Sequence, residues 1–269
     1  MIGKLLNKYS TNKFFKVGFS DTEHSFCTTE KYPADNTLCE IVCVTYNNPE
    51  LIKHQFHLLK KYFKGSYNFL IADNSSDKNA RKQIEEYCKT QSISYISLPT
   101  NPYKTGSQSH AASINWVMRN YIGVKQPDYF GFIDHDIFPV EPFSVEDILK
   151  KQSIYGLLQQ RESLWYLWAG FCFFNFKSFD VSQMDFMPGP VNGIALDTGG
   201  KNWDLVYSKI KSDSIEFPKQ TYQNLREGNV AQSDKLEIIG NWVHSFNGSY
   251  WMKVDKKEHL LEQYLKQYM

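Results

Sequence analysis

The 269-residue sequence predicts one α/β domain with a mostly parallel sheet flanked by helices. Three observations carry that prediction. Short β-branched and aromatic runs alternate with segments of helical periodicity along the first half of the chain. Those runs are almost continuously apolar, as strands covered on both faces are. Each run also ends in a cluster of Asn, Asp, Ser or Gly, and ligands bind parallel sheets at the carboxyl ends of their strands.

The elements follow in order. Residues 1–36 are polar with scattered aromatics and read as an N-terminal arm packed on a domain spanning 37–269. Cys39 to Tyr46 is the first strand, stopped by Asn47, Asn48 and Pro49. Leu51, Ile52, Phe56, Leu59, Tyr62 and Phe63 then recur at helical spacing. Tyr67 to Ala72 is the second strand, running into Asp73, Asn74, Ser75 and Ser76. A charged helix covers roughly 77–90, and Ile93 to Leu98 is a third strand closed by Pro99. A polar loop leads to a helix through Ala111, Ile114, Met118 and Tyr121, and Tyr129 to Ile133 is a fourth strand.

Beyond residue 150 the alternation weakens. Ile154 to Gln159 and Gly170 to Phe176 read as strands, Met187 to Gly200 as a loop, and 202–211 as a short helix. The segment 256–268 carries Leu260, Leu261, Tyr264, Leu265 and Tyr268 on one stripe. It reads as a helix docked on the domain, with peripheral contact at a membrane surface as the alternative.

Composition narrows the function. Thirty basic residues balance 29 acidic ones, so no bulk positive charge points to nucleic acid. There is no apolar run long enough to span a bilayer and no signal-like start, which makes a cytoplasmic location the expectation. The five cysteines show no C-x-x-C spacing and read as buried thiols rather than as a zinc site or a disulfide framework. No G-x-G-x-x-G follows the first strand, which speaks against a dinucleotide-dependent oxidoreductase.

The fourth strand runs straight into Asp134, His135 and Asp136. Two carboxylates two residues apart can turn the same way if the chain bends, and hard oxygen ligands suit Mg²⁺ or Mn²⁺ held against a diphosphate. A solvated turn is the plainer alternative. His135, between them, is expected to face away and pack.

With these residues in place the chain resembles family-2-type glycosyltransferases of the GT-A fold. Val42 to Asn47 is similar to that family's first strand and nucleotide-contacting turn, and Ile71 to Asp77 to its D-N-x-S-x-D motif. Asn101, Gly106 and Asn115 resemble its third motif, with Pro102 to Thr105 as an added stretch, and Asp134 to Asp136 stands where the family carries D-x-D. The match is good over about 39–140 and looser to about 250.

The resemblance implies a GT-A, Rossmann-like sheet with a nucleotide-binding half at about 37–140 and an acceptor half at about 141–255. It implies that Thr45, Tyr46 and Asn47 line the nucleotide pocket, with Asn74 and Gly106 in the same donor site. Asp73 would bond the base or ribose, Asp134 the ribose or a metal, and Asp136 the Mn²⁺ or Mg²⁺ that bridges the donor diphosphate. His110 would donate to a phosphate oxygen or be a plain helix residue. His244 is the candidate third metal ligand, followed by a Gly-Ser that allows close approach, whereas His259 falls on the polar side of the terminal helix. Asp197, before Gly199 and Gly200, is the candidate base, with Asp204 and Glu162 as rivals. Trp165, Trp168 and Trp203 would stack on sugars or pack in the core.

The activity the resemblance implies is metal-dependent and inverting: transfer of a sugar from a nucleoside diphosphate donor, UDP- or GDP-linked above all, to a hydroxyl of a glycan or lipid-linked acceptor. The rivals are a nucleotidyltransferase, whose expected Gly-rich basic loop has no counterpart in Thr45 to Pro49, and a non-catalytic nucleotide-sugar or glycan-binding protein.

Overall fold

The computed structural model of the protein describes residues 10–28, 39–225, 235–245 and 257–269. Nearly continuous apolar character, interrupted by Glu40, puts strand β1 (Cys39–Thr45) inside the sheet, every residue buried. It pairs in parallel with β2 (Tyr67–Asp73) on one side and β4 (Tyr129–Asp134) on the other, and β2 pairs in parallel with β3 (Ser94–Ser97). The register sets Thr45 beside Asp73, Asp73 beside Ser97 and Val44 beside Asp134, so the carboxyl ends of all four strands form one rim.

Helices cover both faces. A short helix, α1, spans residues 10–16. Next come α2 (Pro49–Tyr62) and α3 (Lys78–Gln91), which lie on one face with Ile41, Cys43, Phe69, Ile71 and Ile133 beneath them. On the other face α4 (Gly106–Val117) packs on Val42, Val44, Leu70, Ala72 and Phe132. Successive strand residues point to opposite faces, so neighbouring apolar positions serve the two cores in turn. The helix starts follow from capping: Asn48 accepts from the Leu51 amide, and Asp77 accepts from those of Asn79 and Ala80. α4 runs on through a π-helical turn (Met118–Ile122) into α5 (Gly123–Lys125).

The D-x-D segment joins two sheets. After β4 the chain turns into β5 (Ile137–Pro139), which belongs to a second, antiparallel sheet. Beyond α6 (Val145–Leu149), β6 (Ile154–Arg161) and β7 (Leu164–Asn175) extend the first sheet to the order β3-β2-β1-β4-β7-β6, with β7 antiparallel to both neighbours. β7 begins six residues before the predicted Gly170, because Leu164 to Leu167 pair with β6 across a tight turn. The predicted loop at 187–200 contains a small hairpin, β8 (Gly189–Val191) with β9 (Ile194–Leu196). The predicted helix at 202–211 is instead a set of 3₁₀ turns at Gly200–Asn202 and Tyr207–Lys209. Gly199 in the left-handed region and the buried Val206 and Tyr207 hold that stretch irregular.

The second sheet has the order β10-β11-β12-β5, from β10 (Gln220–Asn224), β11 (Lys235–Ile239) and β12 (Trp242–Ser245). The terminal helix α7 (Lys257–Lys266) docks on it through Leu261 and Leu265, both fully buried against Leu51, Leu58, Phe138 and Val243. Each such leucine contributes about 1.5–3 kcal/mol of burial. The N-terminal residues that are described also pack inward: Phe14 is buried, Phe26 bridges to Tyr95, and Trp116 Nε1 donates to the Val17 carbonyl. Four of the cysteines are buried thiols, whereas Cys27 is exposed. Among the described residues no helix is long and apolar enough to cross a membrane.

Candidate active site

The rim of carboxyl ends opens into a cavity of about 730 Å³, within the roughly 300–1,000 Å³ usual for ligand pockets. Tyr46, Asn74, Gly106, His110, Asp134 and Asp197 all line it, contributed by five segments that are distant in sequence. The parallel sheet brings the first five together. The loop after β9 brings Asp197 across from the second half of the chain.

The D-x-D turn is pinned from below. Gln55, fully buried on the apolar face of α2, donates through Nε2 to the carbonyls of Asp134 (2.8 Å) and Ile137 (2.7 Å). The turn therefore has a fixed exit from β4 and a fixed entry into β5. Asp134 Oδ1 lies 3.1 Å from His110 Nε2. Burial opposes charge on both groups, but their attraction and hydrogen bond outweigh it. The His110 pKa is held above the ordinary imidazole range and that of Asp134 below the ordinary carboxylate range.

Asp136 faces a different histidine. His244 Nε2 lies 3.7 Å from Asp136 Oδ1, and both residues are buried. Across the β11–β12 hairpin, His244 Nδ1 lies 2.7 Å from Glu237 Oε2. Burial again works against charge, and the two flanking carboxylates still raise the His244 pKa. Trp168 connects this pair to the cavity: its ring lines the wall and lies 4.8 Å, centroid to centroid, from that of His244. A Cβ on Gly170 would stand 2.4 Å from the Trp168 indole, so glycine is required there to seat it.

The N-terminal end of α4 closes another side. Gly106, Ser107 and Ser109 line the cavity, and the N-cap residue Thr105 makes no side-chain cap bond. Helix amides without a cap, with Lys78 and Lys104 also on the wall, suit an anionic group. A Cβ on Gly106 would meet nothing within 4 Å, so the space in front of that backbone is open to a ligand.

Asp197 is exposed, and its Oδ1 accepts from the Thr198 amide at 2.8 Å. Its rivals do not reach the cavity. Glu162 sits in the β6–β7 turn and Asp204 lies among the 3₁₀ turns. Of the three tryptophans only Trp168 lines the wall; Trp165 packs on Tyr207 and Phe217, and Trp203 on the main core.

Several sequence assignments land elsewhere. Asp73 is fully buried and off the wall, its carboxylate accepting from the Ser75 amide (2.8 Å) and the Tyr95 hydroxyl (2.9 Å). Burial raises its pKa against those bonds and the nearby Arg81 charge. Thr45 is fully buried below the rim. Asn47, in the left-handed region, joins two loops by accepting from the Ser76 and Asp77 amides and donating its own amide to Ser75 Oγ. Asn115 holds the segment 185–186 by accepting from the Phe186 amide and donating to Asp185. His135, expected to pack away from the site, is buried but lines the cavity, its Nε2 without a hydrogen-bond partner among the described residues. Gly248 and Ser249, the close-approach pair after His244, lie outside the described residues.

Gln55, Glu237 and Arg81 went unnoticed in the sequence. Arg81 donates to the carbonyls of Asp73, Ser75 and Leu98, tying the ends of β2 and β3 together. Gln55 left a readable signal, a lone amide in the stripe Leu51, Ile52, Leu58 and Leu59. Glu237 left one as well, a single carboxylate in the apolar run Leu236 to Ile239, seven residues before His244.

No protein-family model and no curated protein matches the chain. Among solved structures, the apo structure of WbbM, a bifunctional glycosyltransferase, is similar at a TM-score of 0.37 and 10% identity. The likeness covers 54% of this chain and 33% of that one, so the chain spans about a third of that protein's length. At that distance the likeness bears on neither the fold nor the chemistry.

A divalent cation can be tested against the donor set. Among the described residues no three His, Cys, Asp or Glu side chains form a ready-made cation cage. The Asp136 carboxylate and His244 Nε2 nevertheless face each other, with Glu237 behind the ring. Mg²⁺-type sites are commonly held by one or two carboxylates and completed by waters and substrate phosphates. Asp136 and His244 are themselves off the cavity wall, whereas Asp134 and His135 of the same turn, and Trp168 against the His244 ring, are on it; a carboxylate and an imidazole nitrogen so placed are donors of the kind such a site uses.

Proposed function

We propose that the chain is a glycosyltransferase that moves a sugar from a nucleoside diphosphate donor to a hydroxyl of a glycan or lipid-linked acceptor, with inversion at the anomeric carbon. One observation carries this reading. A cavity at the carboxyl ends of parallel strands brings together on its wall the N-terminal end of α4, the Asp134–His110 pair and an exposed carboxylate, Asp197, whose neighbour Thr198 donates to the Ser107 carbonyl of α4.

The residues then take these roles. The α4 amides with Lys78 and Lys104 bind the anionic diphosphate, and Tyr46 and Asn74 form the wall for the nucleoside. Asp136, His244 and Asp134 would hold Mn²⁺ or Mg²⁺, which when bound offsets the charge growing on the departing diphosphate. Asp197 takes the proton of the attacking hydroxyl, so that the new C–O bond forms as the C–O bond to the diphosphate breaks. Trp168 offers an aromatic face to a sugar ring at the mouth of the site.

The test is a thermal-shift panel of UDP-, GDP-, CMP- and dTDP-sugars, each with and without Mn²⁺. A ligand at a hundredfold its dissociation constant stabilises the fold by about 2.7 kcal/mol. One nucleotide family is expected to raise the Tm in a Mn²⁺-dependent way, and Asp136→Ala to abolish the effect. No shift with any donor, on folded protein, would overturn the reading.

A further inference from the structure

The second sheet carries a polar row that the transfer chemistry alone does not call for. The strand register sets Tyr222 opposite Glu237, Glu237 opposite His244, and His244 opposite Ile137, the residue after Asp136. Directly opposed residues share a face, and Gln220, two positions before Tyr222, shares it too. The side chains follow that row. Gln220 Nε2 and the Tyr222 hydroxyl both donate to Glu237 Oε1, Glu237 Oε2 meets His244 Nδ1 at 2.7 Å, and His244 Nε2 faces Asp136.

A row of this kind is costly as mere packing. Glu237 is only 4% exposed, and a carboxylate that deep costs several kcal/mol of desolvation unless its partners offset it. An apolar residue between Leu236 and Ile238 would hold the hairpin without that penalty. What a carboxylate supplies and an apolar side chain does not is control of the imidazole. A neutral ring has one N–H and one lone pair, and the group bonded to one nitrogen decides which is which. Glu237, an acceptor on both oxygens, keeps the hydrogen on Nδ1.

The geometry points to Glu237 as a positioning residue for a divalent cation: by accepting the Nδ1 hydrogen of His244 it leaves Nε2, on the Asp136 side, as the ring's coordinating atom. This inference rests on the glycosyltransferase reading and its Asp136–His244 metal site. β10, whose residues are all exposed, gains a purpose from it. Gln220 and Tyr222 fix the Glu237 carboxylate from the edge, and Trp168 limits rotation of the His244 ring from the cavity side.

The test is Mn²⁺ alone, titrated into the full chain and followed by the electron paramagnetic resonance of the free ion, with Tm measured in EDTA beside it. Glu237→Gln, which keeps the size of the side chain, is expected to weaken Mn²⁺ binding about 10–100-fold, the usual cost of losing an outer partner of a metal-bound histidine. His244→Ala and Asp136→Ala are expected to weaken it at least as much. Gln220→Ala, which removes a donor to the far oxygen of Glu237 and to the Tyr222 hydroxyl, is the second variant should Glu237→Gln fail to fold, and is expected to weaken binding several-fold. Wild-type Mn²⁺ affinity in both Glu237→Gln and Gln220→Ala, with loss in His244→Ala and Asp136→Ala, would overturn the role of Glu237 and leave the metal site standing. Unchanged affinity in His244→Ala and Asp136→Ala, or no Mn²⁺ binding by the wild type, would overturn the metal site and this inference together.

Discussion

His110 Nε2 lies 3.1 Å from Asp134 Oδ1, tying the second turn of α4 to the carboxyl end of β4. The two pKa shifts have opposite signs, and each has its own pH limit. His110 is raised on folding, so its share of stability is complete below its unfolded value of about 6.5 and is lost as pH rises through the folded value. Asp134 is lowered, so its share is complete above about 3.9 and is lost as pH falls through the folded value. The Tm difference between wild type and His110→Gln, measured in EDTA, is therefore expected to be largest near pH 5–6 and to shrink towards pH 9. A difference that grows with rising pH would contradict the pairing.

Gln55 Nε2 donates to two carbonyls, those of Asp134 and Ile137, at the interior end of the turn between β4 and β5. Gln55→Leu, of similar volume, is expected to cost about 1–3 kcal/mol in urea unfolding, the penalty of leaving buried acceptors unpaired. It is also expected to weaken donor binding, since the turn it releases carries Asp134 and Asp136.

Gly106 separates ligand space from protein space. Its Cβ position is empty and the residue opens a helix, so Gly106→Ala is expected to leave the Tm unchanged or raise stability by about 0.4–1 kcal/mol. Nucleotide-sugar affinity, measured by calorimetry, is expected to fall in the same variant. A destabilised protein with normal affinity would show that the glycine serves the fold instead.

Asp197→Asn tests the base. Turnover is expected to fall about 10²–10⁴-fold while donor affinity stays at the wild-type level. Full turnover in this variant would remove Asp197 from the proton transfer.

Much of the first sheet was legible because its signals are local. The β1, β2 and β4 runs are apolar apart from Glu40 and Asn68 and end at polar clusters, so both the strands and the location of the cavity follow from short stretches of chain. Tyr46, Asn74 and Asp134 stand at the ends of those runs and line the cavity, and Gly106, His110 and Asp197 line it from outside them. What escaped depends on neighbours across strands. Asp73 turns inward because Tyr95, on the adjacent strand and 22 residues away, offers its hydroxyl. Glu237 meets His244 only because the hairpin pairs them, and β10 is too polar to announce itself as a strand. The 3₁₀ turns after Gly199 carry apolar residues at helix-like spacing without forming an α-helix.

Asp134 is the last residue of β4 in one sheet and Ile137 the first of β5 in the other, with His135 and Asp136 as the whole of the junction. The consequence concerns how such a chain can change over time. Turns such as those at Glu162 or Asn192 hang on one sheet alone and can lengthen without disturbing the other. One residue added between 134 and 137 would instead reverse the parity of β5, turning the buried Phe138 outward and breaking the register that sets Ile137 opposite His244. The length of that junction is the part of the molecule with the least freedom to vary.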